Sequence, residues 1–443
     1  MERTIEQDLL AWKDSPIRMP LLLRGARQVG KSYVIEQFGK RYFKQLVVIN
    51  FEFQPLYKKC FESLDPTDIV QRLTILSTSL IAPGETLLFL DEIQECPEAI
   101  LALRYFKEKY PSLHVIGAGS LLEFALNDTA FRMPVGRVQY LYLHPMSFYE
   151  FLNATGNETS VDYLKKITHT DTIPDAMHSH FLSLLKNYFL IGGMPAAVNV
   201  YREYRNFTLV LQQQQIILNT YQNDFSKYDK KMDSGFLRKI FDSLPGMIGR
   251  QIKYSRIDPD SRSNKIKEAI HCLNQANLFH YIYSSTGCGL PLHATINEKK
   301  FKLLSLDIGL INRSNRLEPS IFFESDLLMM NRGAIAEQFV GQEIIASKPA
   351  DDNSPLYYWS RHNKGSDAEV DFLIQVNQTL VPIEVKSGAV GRLKSLHLFQ
   401  DAHPSSMGVK ISQAPLGLNG RILSLPLYLS AELFRITQDY ISK

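Results

Sequence analysis

The sequence predicts an α/β protein. A parallel-sheet core stands at the N-terminal end, a helical module follows, and a second α/β unit closes the chain. Three observations predict this. Gly25-Ala26-Arg27-Gln28-Val29-Gly30-Lys31-Ser32 fits the phosphate-binding pattern G-x-x-x-x-G-K-[ST], set between an apolar run and a run of helix formers. Thr86-Leu-Leu-Phe-Leu-Asp-Glu92 is a near-continuous apolar run that closes on two carboxylates, as a strand covered on both faces should read. Two alternating runs, 368–376 and 379–387, flank Asn377-Gln378 and carry Asp371, Glu384 and Lys386.

The 443 residues allow two to four domains, each with a sizeable core. A hydrophobic content of 45% with 21% charged residues is that of an ordinary globular chain. Net charge is only +3, so any nucleic-acid surface must be a local patch. Cys60, Cys96, Cys272 and Cys288 lie far apart with no C-x-x-C pairing. That argues against a zinc site or a disulfide framework and suits the reducing cytoplasm, the expected location. Glu2, Arg3, Glu6 and Asp8 give a charged start unlike a signal peptide. No apolar run approaches the ~20 residues that span a bilayer, so no membrane partner is expected.

In the N-terminal core, residues 19–23 form the first strand, and the loop turns from it into a helix starting at Lys31. Glycines let consecutive N–H groups point at phosphate oxygens, and the helix N-terminus adds partial positive charge. Lys31 is expected to neutralise the terminal phosphates of ATP, and Ser32 Oγ to ligate Mg²⁺. Residues 46–50 and 86–91 form the next strands. Parallel sheets bind ligands at the C-terminal ends of their strands, so Asp91 and Glu92 emerge near the loop. Asp91 is placed to hold Mg²⁺, and Glu92 to deprotonate an attacking water. The strand 113–117 leads to Ser120, which either senses the γ-phosphate or caps the following helix. The strand 138–143 follows Gly136-Arg137; Arg137 is either an arginine finger, in its own subunit or a neighbour's, or a surface ion-pair residue.

The order of the phosphate loop, Leu-Phe-Leu-Asp-Glu, Gly-Ala-Gly-Ser-Leu-Leu, Val-Gly-Arg-Val and Leu143-His-Pro-Met-Ser-Phe-Tyr-Glu-Phe151 resembles prokaryotic AAA+-type ATPases that carry a C-terminal domain of unknown function. Tyr188-Phe-Leu-Ile-Gly-Gly-Met-Pro195 matches the same group. The resemblance covers nearly the whole chain and implies a five-stranded parallel P-loop NTPase core with ATP beside the two acidic strand ends. Residues 153–175 are polar and irregular and read as an excursion or linker.

From about 205 to 315 the pattern is helical (209–221, 236–244, 265–276), then strand 278–283, a turn at Gly287-Cys-Gly289, and strand 300–306. Helix, helix, strand, turn, strand is a winged-helix order. Between Tyr221 and Ile270 eleven Lys or Arg stand against seven Asp or Glu, a local excess that suits DNA phosphates. Lys265 and Lys267 open the expected recognition helix. A solvated basic face or a docking module reads equally well.

In the last unit, 331–345 is a helix with Glu337 near its middle, and 356–360 is a strand. A hairpin centred on Asn377-Gln378 sets Asp371 opposite Glu384, and Glu369 opposite Lys386. Facing carboxylates repel unless a divalent metal neutralises them, and Lys386 shares their face. Asp, then Glu-x-Lys on the next strand, resembles the PD-(D/E)xK nuclease superfamily, with Glu337 as the helical carboxylate. That implies a restriction-endonuclease-like α/β domain. Val370-Asp371 stands where Pro-Asp would, which leaves open an active nuclease, a copy that does not cut, or an ordinary charged hairpin.

Taken together, the chain reads as an AAA+-type ATPase domain (1–204), a helical or winged-helix module (205–315) and a nuclease-like domain (316–443). ATP hydrolysis with Mg²⁺ would drive a conformational switch acting on DNA, with homo-oligomer formation left open. The alternative is a nucleotide-gated signalling or scaffold protein whose nuclease-like domain is inactive and binds partners.

Overall fold

The structure, a computed structural model, describes residues 1–126, 136–228, 232–316, 333–363, 366–388, 393–403 and 406–442. Five strands, β1 (Leu21–Arg24), β2 (Gln45–Asn50), β3 (Thr86–Asp91), β4 (His114–Ala118) and β5 (Gln139–Tyr142), form a fully parallel sheet in the order β2-β3-β4-β1-β5. Successive side chains point to opposite faces of this sheet. Leu21, Leu23, Leu87 and Phe89 therefore pack with Ile35 and Phe38 of the Lys31–Tyr42 helix. Leu22, Leu88 and Leu90 pack with Leu103 and Phe106 of the Pro97–Lys109 helix. Two covered faces explain the unbroken apolar run of β3. Register then sets one row across the sheet: Asn50 beside Asp91, Asp91 beside Ala118, and Ala118 beside Leu23. The phosphate loop leaves β1 at the end of that row.

Residues 153–175 are more ordered than their polarity predicts. A Glu158–Leu164 helix buries Val161 and Leu164, and the Asp175–Ile191 helix follows. Two apolar residues one turn apart suffice to seat such a short helix, too weak a period to read from sequence.

The middle segment brings the Phe207–Tyr228, Ser234–Ser243 and Ser263–Gln275 helices and then a hairpin of β6 (Phe279–Ser285) and β7 (Ile296–Ser305). Asp229, Lys230 and Lys231 of the basic stretch lie outside the described residues. The element order matches expectation, but the hairpin is not a free wing. Strand β6 pairs in parallel with β8 (Leu356–Asn363), which pairs with β9 (Ser366–Val370), giving the sheet β7-β6-β8-β9. A division at 315/316 would cut through that sheet. Pairing between strands so far apart in the chain leaves no local trace in sequence.

The last sheet runs β10-β11-β12-β14-β13, with β10 (Phe372–Val376), β11 (Thr379–Val385), β12 (Gly408–Ser412), β13 (Gly417–Asn419) and β14 (Ile422–Pro426). The hairpin register is the expected one from Phe372 opposite Ile383 to Val376 opposite Thr379. It stops at Asp371. There the chain leaves one sheet for the other, and Glu369 pairs with Ser360 rather than Lys386. The expected helix 331–345 is observed as Ala334–Ala346; Asn331 and Arg332 lie outside the described residues. That helix is apolar around most of its girth, with Ile335, Phe339, Val340 and Ile344 buried, as a helix enclosed by other elements must be.

Candidate nucleotide site and carboxylate centre

Gly25 adopts φ 135°, and a Cβ there would stand 2.1 Å from the Leu143 carbonyl oxygen. Only glycine fits. Gly30, at φ 98°, precedes the Lys31–Tyr42 helix and aims its N-terminus into the loop. Lys31 is buried, and its Nζ donates to the carbonyls of Gly25 (2.9 Å) and Ala26 (2.8 Å). Burial pushes its pKa down to about 8, while Glu92 and Asp91 pull the other way.

Ser32 Oγ donates to Asp91 Oδ1 at 3.0 Å, and Asn50 Nδ2 donates to Oδ2 at 3.1 Å. Burial raises the Asp91 pKa despite these bonds. A hydroxyl and a carboxylate oxygen in contact at a helix N-terminus are hard donors suited to Mg²⁺, so the residues fit that ion. Glu92 takes φ 47°, which turns its side chain toward β4. Its Oε2 accepts from Ser120 N (3.1 Å), Ser120 Oγ (3.1 Å) and Gln94 Nε2 (2.6 Å). Ser120 thus holds Glu92. Gly119 beside it leaves room for Gln94, whose Oε1 would stand 1.8 Å from an added Cβ.

Arg137 is brought to no phosphate site of its own chain. It lies just before β5, whose Gln139 pairs with Leu21 at the start of β1. The loop lies beyond the other end of β1, about 10 Å of strand away. Arg137 instead pairs with Glu108 at 3.3 Å, half exposed. An Arg just before a strand does not by itself reveal which partner it meets at that end of the sheet.

Three features of the loop's surroundings escape sequence reading. Arg3, buried near the chain start, donates to the carbonyls of Val29 (2.9 Å) and His144 (2.6 Å) and pairs with Glu150. Within the loop, Arg27 pairs with Asp224 of the Phe207–Tyr228 helix, and Tyr221 Oη donates to the Arg27 carbonyl at 2.9 Å. A cavity of about 430 Å³ opens beside the loop, lined by Gln28, Tyr33, Pro195, Asn199 and Arg202 among others. The Gly192-Gly-Met-Pro195 segment, which carries no chemistry in itself, leads into that wall.

In the C-terminal unit the expected residues meet differently. Asp371 Oδ2 accepts from Val385 N at 2.7 Å, and Glu384 is buried, its Oε1 bound by Lys386 Nζ at 2.5 Å. At the centre stands Lys302 of β7, only 1% exposed. Its Nζ lies 2.6 Å from Glu369, 3.3 Å from Glu337 and 3.8 Å from Asp371. Burial opposes its charge, yet these carboxylates hold its pKa above the usual lysine value. Burial and then Asp371 raise the pKa of both Glu337 and Glu384. Among the described residues, no group of three or more His, Cys, Asp or Glu is arranged to hold a metal. The sequence signal for Lys302 was a lysine in the apolar half of β7, between Phe301 and Leu303.

Residues 18–152 match the family described as an AAA domain. Residues 182–320 match a domain of unknown function, DUF8612, and residues 332–428 match another, DUF4143. No curated protein matches the chain. Among solved structures, the chain is similar to the Aeropyrum pernix ORC1 protein in complex with DNA (14% identity, 71% of this chain and 90% of that one, TM-score 0.27). It is also similar to the Aeropyrum pernix ORC2 protein in ADPNP–ADP complexes (11%, 71% and 94%, 0.34). A third is the Thermotoga maritima RuvB Holliday junction branch migration motor (14%, 65% and 90%, 0.29). Likenesses this weak carry no functional argument. The parallel sheet, the phosphate loop and the AAA match define the class: the chain carries a P-loop NTPase core, with helices and two further sheets. Among the described residues no helix is long and apolar enough to cross a membrane.

Proposed function

We propose that the protein is a Mg²⁺-dependent ATPase whose hydrolysis cycle drives a conformational switch acting on DNA. The observation that carries this reading is Ser32 joined to Asp91 at the mouth of the phosphate loop, with Glu92 held alongside. Loop N–H groups of Gly25 to Ser32 and the helix N-terminus bind the triphosphate. Lys31 exchanges the Gly25 and Ala26 carbonyls for phosphate oxygens. Ser32 and Asp91 would hold Mg²⁺, which offsets the negative charge of the β- and γ-phosphates. Glu92 accepts a proton from water as the water oxygen bonds to the γ-phosphorus and the bond to the bridging oxygen breaks, leaving ADP and phosphate. Ser120 and Gln94 keep the carboxylate aimed. The base enters the cavity beside Tyr33 and Pro195.

The ATPase unit is taken as residues 1–204. Arg27, through Asp224 and Tyr221, ties its loop to the helix that opens the middle module. There Arg262, Lys265 and Lys267 are exposed at the start of the Ser263–Gln275 helix and offer a phosphate-binding face. The second reading is a nucleotide-gated scaffold with an inactive nuclease-like domain. The buried Lys302 among the carboxylates favours it over an active Mg²⁺ nuclease at Glu337, Asp371, Glu384 and Lys386.

ATP turnover measured with and without DNA tests the first reading. Stimulation that falls as salt rises supports it, and no response to any DNA contradicts it. Incubating plasmid with Mg²⁺ or Mn²⁺ separates the second: cleavage lost in Asp371→Ala or Lys386→Ala would reject the scaffold.

A further inference from the structure

The Gly192-Gly-Met-Pro195 segment carries no reactive side chain, yet its backbone is bound on both sides of Gly193. Gly193 N donates to Asp307 Oδ2 at 2.6 Å, and Gly193 O accepts from Met146 N at 2.7 Å. Neither glycine has room for a side chain. A Cβ on Gly192 would stand 2.2 Å from Asp307 Oδ1, and one on Gly193 would stand 2.1 Å from the Met146 carbonyl oxygen. Asp307 is fully buried just past β7, where its Oδ1 also caps the Ile308–Ser314 helix through Leu310 N at 3.0 Å. One carboxylate of the middle segment therefore grips the glycine pair. Pro195, two residues beyond Gly193, opens the Pro195–Tyr204 helix and lines the cavity beside the phosphate loop. Its Cγ lies 3.6 Å from the point a Cβ on Gly30 would occupy.

The grip depends on charge. An ionised carboxylate accepts from both N–H groups, whereas a protonated one gives up acceptor capacity to its own O–H. Burial pushes the Asp307 pKa up to about 6, against the bonds from Gly193 and Leu310. Gln342 bonds to it as well, and the titratable groups that face it are Tyr188 and Tyr221, both kept neutral by burial. Among the described residues no cation pairs with it.

We propose that Asp307 is a positioning residue for the nucleotide: through Gly193 it fixes Pro195 against the phosphate loop, so that the middle segment sets how firmly the site closes on ATP. This rests on the ATPase reading and assigns the residue to binding rather than to bond breaking. Asp91 and Glu92 emerge from β3 and are held by other partners, Ser32, Asn50, Ser120 and Gln94. A residue that acts on binding alone raises KM and leaves kcat in place.

The test is ATP turnover by the full chain between pH 5 and 8, with KM and kcat read separately, beside hydrogen exchange at Gly193 without nucleotide. Asp307→Asn keeps the side-chain volume and cannot ionise. At pH 7 it is expected to raise KM at least about tenfold, to leave kcat within about threefold, and to speed exchange at Gly193. Wild-type KM is expected to rise at least about fivefold more than that of Asp307→Asn from pH 7 to pH 5, as Asp307 takes up its proton. ATP and Lys31 titrate alike in both proteins and cancel. Asp307→Ser, whose hydroxyl still caps the helix but is too short to reach Gly193, should match Asp307→Asn and is read in its place if that variant does not fold. A folded variant with wild-type KM, or with wild-type exchange at Gly193, would overturn the proposal. So would a fall in kcat with KM unmoved, or two variants that both fail to fold. A wild type that binds no ATP would defeat the ATPase reading and this inference with it. A wild type that turns over ATP, with KM unmoved in the variants, defeats this inference alone.

Discussion

Gly25→Ala offers a worked test of how the phosphate loop is built. Two costs act at this position. A side chain at φ 135° is strained, which typically costs about 1–3 kcal/mol. The added Cβ also meets the Leu143 carbonyl oxygen at 2.1 Å, and that atom is backbone. It cannot rotate aside, because Leu143 N donates to Arg24 O at 2.9 Å and closes the β1–β5 pairing. Relieving such an overlap adds about 1–3 kcal/mol. Gly84→Ala is the control: φ there is 79°, yet nothing lies within 4 Å of an added Cβ. It should show the strain alone. Urea unfolding of the two variants should therefore differ by about 1–3 kcal/mol, with Gly25→Ala the weaker. Binding of a fluorescent ATP analogue should fall at least about tenfold in Gly25→Ala, because the loop must open to relieve the contact, and stay unchanged in Gly84→Ala. Equal urea midpoints and equal binding would refute the reasoning.

Other consequences are as definite. Arg137→Ala should leave ATP turnover within about twofold and stability within about 0.5 kcal/mol, since it removes a half-exposed surface pair; a loss of about a hundredfold would place Arg137 in a neighbouring subunit's site. Asp224→Asn should leave turnover without DNA within about threefold but abolish any response to DNA, if the Arg27 contact carries the signal. Glu343 is fully buried, with Oε1 accepting from Phe148 N and Oε2 unpartnered, and burial pushes its pKa up to about 8. The folded state then holds a proton that the unfolded chain, near 4.5, releases. Its contribution is fully present below the unfolded value and is lost as pH rises through about 8. Urea midpoints measured from pH 5 to 8 should fall less steeply in Glu343→Gln than in wild type.

The nucleotide core was legible because its signals are local. Each strand of the parallel sheet is a short apolar run, the loop obeys a fixed spacing, and Asp91 and Glu92 close the run that carries them. Strand ends differed from expectation by only one or two residues, as with 19–23 against Leu21–Arg24. The C-terminal unit was less so. The turn at Asn377-Gln378 correctly fixed the register near itself, where pairing is set by the turn. Past Asp371 the partner of the strand is β8, a choice made by packing far along the chain. Lys302 was hidden for the same reason: its carboxylate partners are 35 to 69 residues further on. Arg137 stayed open between an arginine finger and a surface ion pair because its sequence neighbours do not show that the parallel topology sets it at the other end of the strands from the loop, beside Glu108.

Hydrolysis requires a triphosphate seated between Lys31, Ser32 and the acidic end of β3. The most direct measurement is single-site binding and turnover of radiolabelled ATP by wild type, Lys31→Ala and Glu92→Gln, side by side. Wild type should bind and turn over. Lys31→Ala should bind nothing, and Glu92→Gln should retain bound ATP while its turnover falls by at least about a hundredfold. Turnover at the wild-type rate in either variant would contradict it.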